Sequence, residues 1–362
     1  MQKSFEIVSS SGKYNVTIGN NLLAERLNCS NNDVCIVDER LAHLVPINKV
    51  NVISVAANEK SKSLDALSPI IQRMRQNGAD RSSRIIAIGG GVIQDIATIA
   101  ASLYMRGIVW EYLPSTLLGM VDSCIGGKSS INIDGYKNLV GNIYPPDQIN
   151  IDVDFLDTLG NEQIIDGLCE AVKICYARSE EELDSYLRLT VTTEESLKNI
   201  KSVIMQCLKA KQWFIEIDEF DQNERLLLNF GHTFGHALES AVEFRISHGV
   251  AVGIGMVVAE EYARHQALLS PVGTERSARL TFYVEGLVKC LPKLAVELRN
   301  LDFDSIVLKF ANDKKHKTDQ YRIIVPKGDG GLSLIGIPRI EQSRSDILAA
   351  YRSAARRLER LF

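Results

Sequence analysis

The chain has 362 residues, of which 45% are hydrophobic and 24% charged, the balance of a soluble globular protein with length for two domains. Its 41 basic residues stand against 45 acidic ones, giving a net charge of −4, which excludes a global electrostatic grip on nucleic acid while leaving room for local basic pockets. No apolar stretch approaches the roughly 18 uncharged residues of a bilayer span, and the first 16 residues lack the apolar core of a signal peptide. The expectation is a cytoplasmic enzyme with neither nucleic-acid nor membrane partners. The seven cysteines, Cys29, Cys35, Cys124, Cys169, Cys175, Cys207 and Cys290, form no CxxC pair and sit mostly in apolar runs. They read as buried, reduced thiols.

Along the first 150 residues, short β-rich runs at 14–18, 33–38, 50–55, 84–88 and 108–113 are spaced by helical patterns at 60–77 and 92–104. A last β-like run, 148–152, follows the Pro145-Pro146 turn. That alternation predicts a mostly parallel sheet covered by helices. After about Leu159 the texture changes to long helical periodicities at 162–177, 180–189, 194–217, 225–244, 250–268 and 274–290. A hairpin pairs 320–325 with 332–335 across the turn Lys327-Gly-Asp-Gly-Gly331, and an amphipathic helix over 340–361 closes the chain. The fold expected is therefore an α/β N-terminal domain, 1–158, followed by an α-helical C-terminal domain, 159–362.

Three groups of residues carry chemistry. In Arg84-Ile-Ile-Ala-Ile88 followed by Gly89-Gly-Gly-Val-Ile-Gln-Asp95, a strand runs into three glycines and a helix. Glycines let a backbone approach a pyrophosphate, and a helix N-terminus offers free N–H groups; a tight structural turn is the plainer reading. Asp38, at the end of an earlier strand, suits a ribose hydroxyl or is a solvated strand-end acid. Next, three of the six histidines, His232, His236 and His248, fall within 17 residues. His232 and His236 are spaced i, i+4, one face of a helix and a common zinc-ligand arrangement. Glu170, a carboxylate in an apolar helical stretch, could complete such a set or simply pair with Lys173 on the same face. Finally, Lys128, Lys137, Lys173 and Arg225 lie in uncharged or apolar surroundings. Each alone is a surface charge; together they would make a pocket for a multiply anionic small substrate.

The runs Gly89–Asp95, Tyr104-Met-Arg-Gly107, Pro114-Ser-Thr-Leu-Leu118, Val121-Asp-Ser123, Gly126-Gly-Lys128 and Lys137-Asn138 resemble the 3-dehydroquinate synthase family of sugar-phosphate cyclases. So do Glu170-Ala-Val-Lys173, Leu226-Leu-Leu-Asn-Phe-Gly-His-Thr-Phe-Gly-His-Ala-Leu-Glu239 and Ser247-His-Gly249, in matching order and spacing from about Asp38 to about Lys315. The resemblance implies a phosphate-eliminating lyase of the shikimate pathway that uses NAD and a divalent Zn2+ or Co2+ ion, and that works as a homodimer. It implies 3-deoxy-D-arabino-heptulosonate 7-phosphate as substrate, with oxidation, β-elimination of phosphate, reduction, ring opening and aldol closure to 3-dehydroquinate. By motif match Glu170, His232 and His248 would be the metal ligands, which moves His236 from the metal shell to the substrate site. The implied substrate set is Arg106, Asp122, Lys128, Lys137, Asn138, Lys173, Lys211, Arg225, Asn229 and His236, with one lysine of Lys314-Lys315, here Lys315. The implied dinucleotide set is Asp38, Glu59, Lys62, Gly90, Gly91, Val92, Asp95, Ser115, Thr116, Phe155 and Thr158, sharing Lys128 and Lys137.

Three departures stand out. The usual Gly-Gly-Lys-Thr-Gly is Gly126-Gly-Lys-Ser129-Ser130, the usual His-Gly-Glu-Ala-Val has Val250 for its acid, and Ser115 replaces the first of two threonines. They keep open a related cyclase acting on another substrate, such as sedoheptulose 7-phosphate.

Overall fold

The computed structural model describes residues 2–27, 30, 32–46, 51–134, 136–190 and 193–362, without the side chains of Tyr136 and Lys137. The chain divides into two compact units, Met1–Leu159 and Gly160–Phe362. Among the described residues no helix is long and apolar enough to cross a membrane.

The first unit is built on strands β1 (Lys3–Ser9), β2 (Gly12–Gly19), β3 (Val34–Asp38), β4 (Asn51–Val55), β5 (Ile85–Gly89), β6 (Trp110–Pro114), β7 (Lys128–Ile133), β8 (Tyr136–Ile143) and β9 (Gln148–Asp152). Helices α1 (Leu22–Arg26), α2 (Leu64–Gln76) and α3 (Gly91–Leu103) lie among them. Seven strands form one sheet in the order β1-β2-β9-β6-β5-β3-β4, parallel except for the β1–β2 pair. β3, β5 and β6 are buried along their whole length, which is why they read as unbroken apolar runs rather than as alternations. β1 escapes the sequence reading because it is polar: Ile7 is its one buried residue, and Lys3 and Glu6 mark it as an edge strand. The antiparallel hairpin β7–β8 was also unexpected, its sequence being rich in Gly, Ser and Asn. From β3 the chain steps outward to β4, then returns to lay β5 on the other side of β3 and moves on to β6. The strand ends of β3 and β5 therefore flank a topological switch point, where doubly wound sheets open a crevice. Asp38 and Gly89–Gly91 sit at those two ends.

The second unit comprises α4 (Asn161–Arg178), α5 (Glu180–Leu189), α6 (Thr193–Lys198), α7 (Ile200–Ile217), α8 (His232–Ala241), α9 (His248–His265), α10 (Pro271–Val288), α11 (Pro292–Arg299), α12 (Phe303–Ala311), the hairpin β10 (Gln320–Lys327)–β11 (Gly331–Pro338) and α13 (Glu341–Glu359). α9 is buried from Gly249 to Ala263, and α4, α8, α10 and α13 pack around it. A helix buried on all sides is the expected centre of such a bundle. Its acids Glu260 and Glu261 are matched by Arg357 of α13 and Arg264.

Two expected helices are broken. The pattern over 194–217 is α6 and α7, and α11 and α12 were not anticipated at all. The pattern over 225–244 is a 3-10 turn, Glu224–Asn229, then α8, interrupted at Gly231 with φ +76°. Only glycine takes that left-handed value without cost. The break puts His232 at the first position of α8.

Candidate active site

In the first unit, Gly90 caps α3, whose first residue is Gly91. A Cβ at Gly90 would lie 2.9 Å from Thr116 Cγ2, whereas one at Gly91 would meet nothing within 4 Å. The loop after β6 thus closes on Gly90 while the space before Gly91 stays open beside the free N–H groups of α3, a cradle shaped for phosphate. The Ser115 N–H donates to Gly89 O at 2.9 Å, and Thr116 Oγ1 accepts from Gly119 N–H at 3.1 Å. Asp38 is buried and accepts from Arg40, through its N–H at 3.1 Å and its guanidinium at 3.1 and 3.3 Å. Phe155 is buried in the turn Val153–Thr158, where the Thr158 hydroxyl donates to Phe155 O at 2.6 Å.

A polar network ties this cradle to the β7–β8 hairpin. Lys62 Nζ is 2.7 Å from Asp95 and donates to Asn138 Oδ1 at 3.1 Å. Ser130 donates its N–H to Asp95 at 3.1 Å and its hydroxyl to Asn138 Oδ1 at 2.8 Å, so the serine at this departure position holds the asparagine. Glu59 accepts from Asn132 Nδ2 at 2.8 Å. Asp95, Lys128, Ser130 and Asn138 line a pocket of about 410 Å³. Burial pushes the Asp95 carboxyl up, against the opposing pull of Lys62 and the Ser130 N–H. Asp122 lies in a π-turn, Gly119–Ser123, a local form common at functional sites. Arg106 is exposed, with φ +71° beside Met105 at +48°, backbone values that a non-glycine residue holds at a cost. The side chain of Lys137 lies outside the described residues, as do Gly135 and Cys29.

The second unit holds a tighter cluster. Glu170 and Lys173 are spaced i, i+3 on α4, almost wholly buried, and in direct ion-pair contact. Lys173 engages Oε2. Oε1 is buried and has no hydrogen-bond partner among the described residues. It faces His232 Nε2 at 3.6 Å and His248 Nε2 at 3.7 Å. Donor atoms of a tetrahedral zinc site, each about 2.1 Å from the ion, lie roughly 3.4 Å apart. An orphaned anionic oxygen facing two imidazole nitrogens at that spacing fits a divalent ion. His236 is also close, its ring centroid 5.1 Å from that of His232 and 5.3 Å from that of His248. Nitrogens of the three histidines lie within 4.8 Å of one another. Either Glu170 or His236 could join His232 and His248 around an ion, and of the two only Glu170 brings negative charge.

The ring orientations are set from behind. His232 Nδ1 lies 3.3 Å from Phe230 O, and His248 Nδ1 lies 3.4 Å from Glu239 Oε2, the outer-sphere support typical of metal-binding imidazoles. Burial, then the positive field of Lys173, holds His232 well below its ordinary pKa, in the neutral form that a metal binds. Burial opposes charge on His248 as well, but Glu239 and Glu170 outweigh it and raise its pKa. Glu239 was quoted in a motif but given no role, because its partner lies across the α8–α9 junction.

Lys173 and Lys315 both bring positive field to His232. Lys211 on α7 and Arg225 in the turn before α8 are buried, with Ile174, Ala210, Phe214 and Leu228 forming the apolar contact between α4, α7 and that turn. Lys315 donates to Asn229 Oδ1 at 3.0 Å, and Lys314 is exposed. Burial lowers the pKa of Lys315, in part against Asp313.

The chain matches the sequence profile of the 3-dehydroquinate synthase N-terminal domain over residues 52–166 and that of the C-terminal domain over 167–316. A 3-dehydroquinate synthase from Enterococcus faecalis is 36% identical over 296 residues, covering 81% of this chain and 80% of the relative. One from Clostridium perfringens is 37% identical over 286 residues, covering 78% of each. The solved 2-epi-5-epi-valiolone synthase of Streptomyces hygroscopicus, with NAD+ and Zn2+ bound, matches with a TM-score of 0.76 at 25% identity, over 95% of this chain and 97% of that one. A 2-deoxy-scyllo-inosose synthase complexed with carbaglucose-6-phosphate, NAD+ and Co2+ shares the fold, with a TM-score of 0.81 at 24% identity over 97% and 100% of the two chains. The chain belongs to the 3-dehydroquinate synthase family.

Proposed function

We propose that the chain converts 3-deoxy-D-arabino-heptulosonate 7-phosphate to 3-dehydroquinate and phosphate, as a phosphate-eliminating lyase of the shikimate pathway. The observation that carries this is the Glu170 Oε1, without a hydrogen-bond partner among the described residues, facing two imidazole nitrogens with Lys173 on the same carboxylate and Lys315 acting on His232. When bound, a divalent zinc or cobalt ion supplies Lewis acidity and NAD a reversible hydride acceptor.

In this reading Glu170, His232 and His248 hold the ion. Lys173, fixed by Glu170, and His236 orient the substrate's hydroxyl and carbonyl oxygens. Lys211, Arg225, Asn229 and Lys315 are counter-charges and donors for a substrate bearing both a carboxylate and a phosphate. Arg106, Asp122, Lys128, Lys137 and Asn138, in the first unit, are assigned to the substrate by the same family resemblance. There Asp38, Glu59, Lys62, Gly90, Gly91, Val92, Asp95, Ser115, Thr116, Phe155 and Thr158 hold the dinucleotide, with Lys128 and Lys137 shared. A clamp on the phosphate keeps the leaving group beside the proton that must depart with it, so elimination needs no separate strong base. A cytoplasmic homodimer belongs to the same proposal; a monomer in sedimentation would remove that part.

The test offers 3-deoxy-D-arabino-heptulosonate 7-phosphate and sedoheptulose 7-phosphate in parallel to the zinc-loaded protein with NAD+, reading phosphate release and the mass of the carbocycle. Dehydroquinate from the first is expected. Cyclisation of the second alone would overturn the substrate assignment and leave the metal assignment standing. His232→Ala should lose zinc and at least about a hundredfold in turnover, since Lewis-acid assistance is worth several kcal/mol; full activity would refute the ligand set.

A further inference from the structure

We propose that Asp166 is a positioning residue for the metal site, fixing the first turn of α9 and supplying negative charge beside His248. The inference rests on the ligand set of the proposed function. Asp166 lies on α4, four residues before Glu170. Its Oδ1 accepts from the N–H groups of Gly249 at 2.5 Å and Val250 at 3.2 Å, the two residues after His248. The backbones meet there: a Cβ on Gly249 would come 2.1 Å from Asp166 O. The carboxylate is thus held where α4 crosses the start of α9, and His248 is the first residue of that helix.

The charge count shows why this matters. The charge of Glu170 is already matched by Lys173, so the pair brings no net charge to a dication. Lys315 adds positive field near His232. Carboxylates flanking His248 must therefore provide the balance, Glu239 at Nδ1 and Asp166 at the helix start. The chain itself offers no acid at position 250. Val250 is buried and faces a pocket of about 300 Å³ with Ile246, Leu291 and Leu294.

The test is zinc affinity, measured by competition with a chromophoric chelator on the full chain. Asp166→Asn keeps an oxygen that accepts both N–H bonds and loses only the charge. It should bind zinc roughly ten- to a hundredfold more weakly, the range for outer-sphere partners, with the melting temperature of the metal-free protein unchanged. Asp166→Ser, equally uncharged, should weaken binding at least as much, and Asp166→Glu should recover it to within a few-fold. Either uncharged variant binding zinc as tightly as the parent would overturn the inference. A parent chain that binds no zinc would instead overturn the metal reading itself.

Discussion

At the scale of single residues, Asp218 shows how one carboxylate builds a binding element. It accepts from the N–H groups of Gln222 at 2.9 Å, Asn223 at 2.7 Å and Arg225 at 3.1 Å, closing the turn that carries Arg225. Burial pushes its pKa up, but those three donors more than reverse this and leave it below the ordinary value. A depressed carboxylate pKa contributes stability that is fully present above the unfolded value of about 3.9 and is lost as pH falls through the folded value. Asp218→Ala should therefore destabilise the chain by roughly 1–3 kcal/mol at neutral pH, seen in urea unfolding, and raise KM more than it lowers kcat. The difference from the parent should shrink in strong acid by the part that belongs to the charge. Residue types and spacing pointed to metal chemistry around His232, His236 and His248 with Glu170 as a candidate, while the choice of Glu170 over His236 came from the family resemblance. Asp218, Asp166 and Glu239 were not legible, because an acid that caps a turn or steadies a ring looks like any other acid until its partner, distant or local, is placed.

At the scale of elements, the histidine cluster depends on two helices meeting backbone to backbone. A Cβ on Gly255 of α9 would lie 2.1 Å from Gly231 O, and one on Gly235 of α8 would lie 2.7 Å from Ala251 O. Gly255→Ala must push α8 away, carrying His232 and His236 with it. We expect a loss of about 1–3 kcal/mol in stability, the usual cost of overpacking, together with weakened zinc binding. Gly286, inside α10, is the control: a Cβ there meets nothing within 4 Å. Gly286→Ala should raise stability by roughly 0.4–1 kcal/mol, read as a higher melting temperature, without touching metal affinity. The sequence showed the helices by their period, but not the break at Gly231. Leu226, Leu227, Leu228 and Phe230 continue an apolar pattern through it, and periodicity does not register a single left-handed φ. The unforeseen β1 and β7–β8 share another cause, since edge and hairpin strands bury too few side chains to leave an alternation.

At the scale of the molecule, composition and site point in opposite directions. A net charge of −4 coexists with buried Lys173, Lys211 and Arg225 in one unit, so the overall balance says nothing about the charge of the substrate. The proposed chemistry also has a whole-molecule signature. Because hydride is taken and then returned, phosphate should be released over many turnovers per dinucleotide, without build-up of its reduced form. Stoichiometric reduction would identify a dehydrogenase instead.

The place of β9 in the sheet carries a consequence for how the chain is made. β9 lies between β2 and β6, so the β1–β2 hairpin cannot join the sheet until residue 152 exists. About 130 residues separate Gly19 from Gln148, on the order of ten seconds of synthesis at typical ribosomal rates. Throughout that interval Tyr14, Val16 and Ile18, all buried in the finished fold, have no sheet to cover them. Pairing of β2 with β9 is thus a late step in closing the sheet, and the inner edge of the hairpin stays unpaired until it occurs.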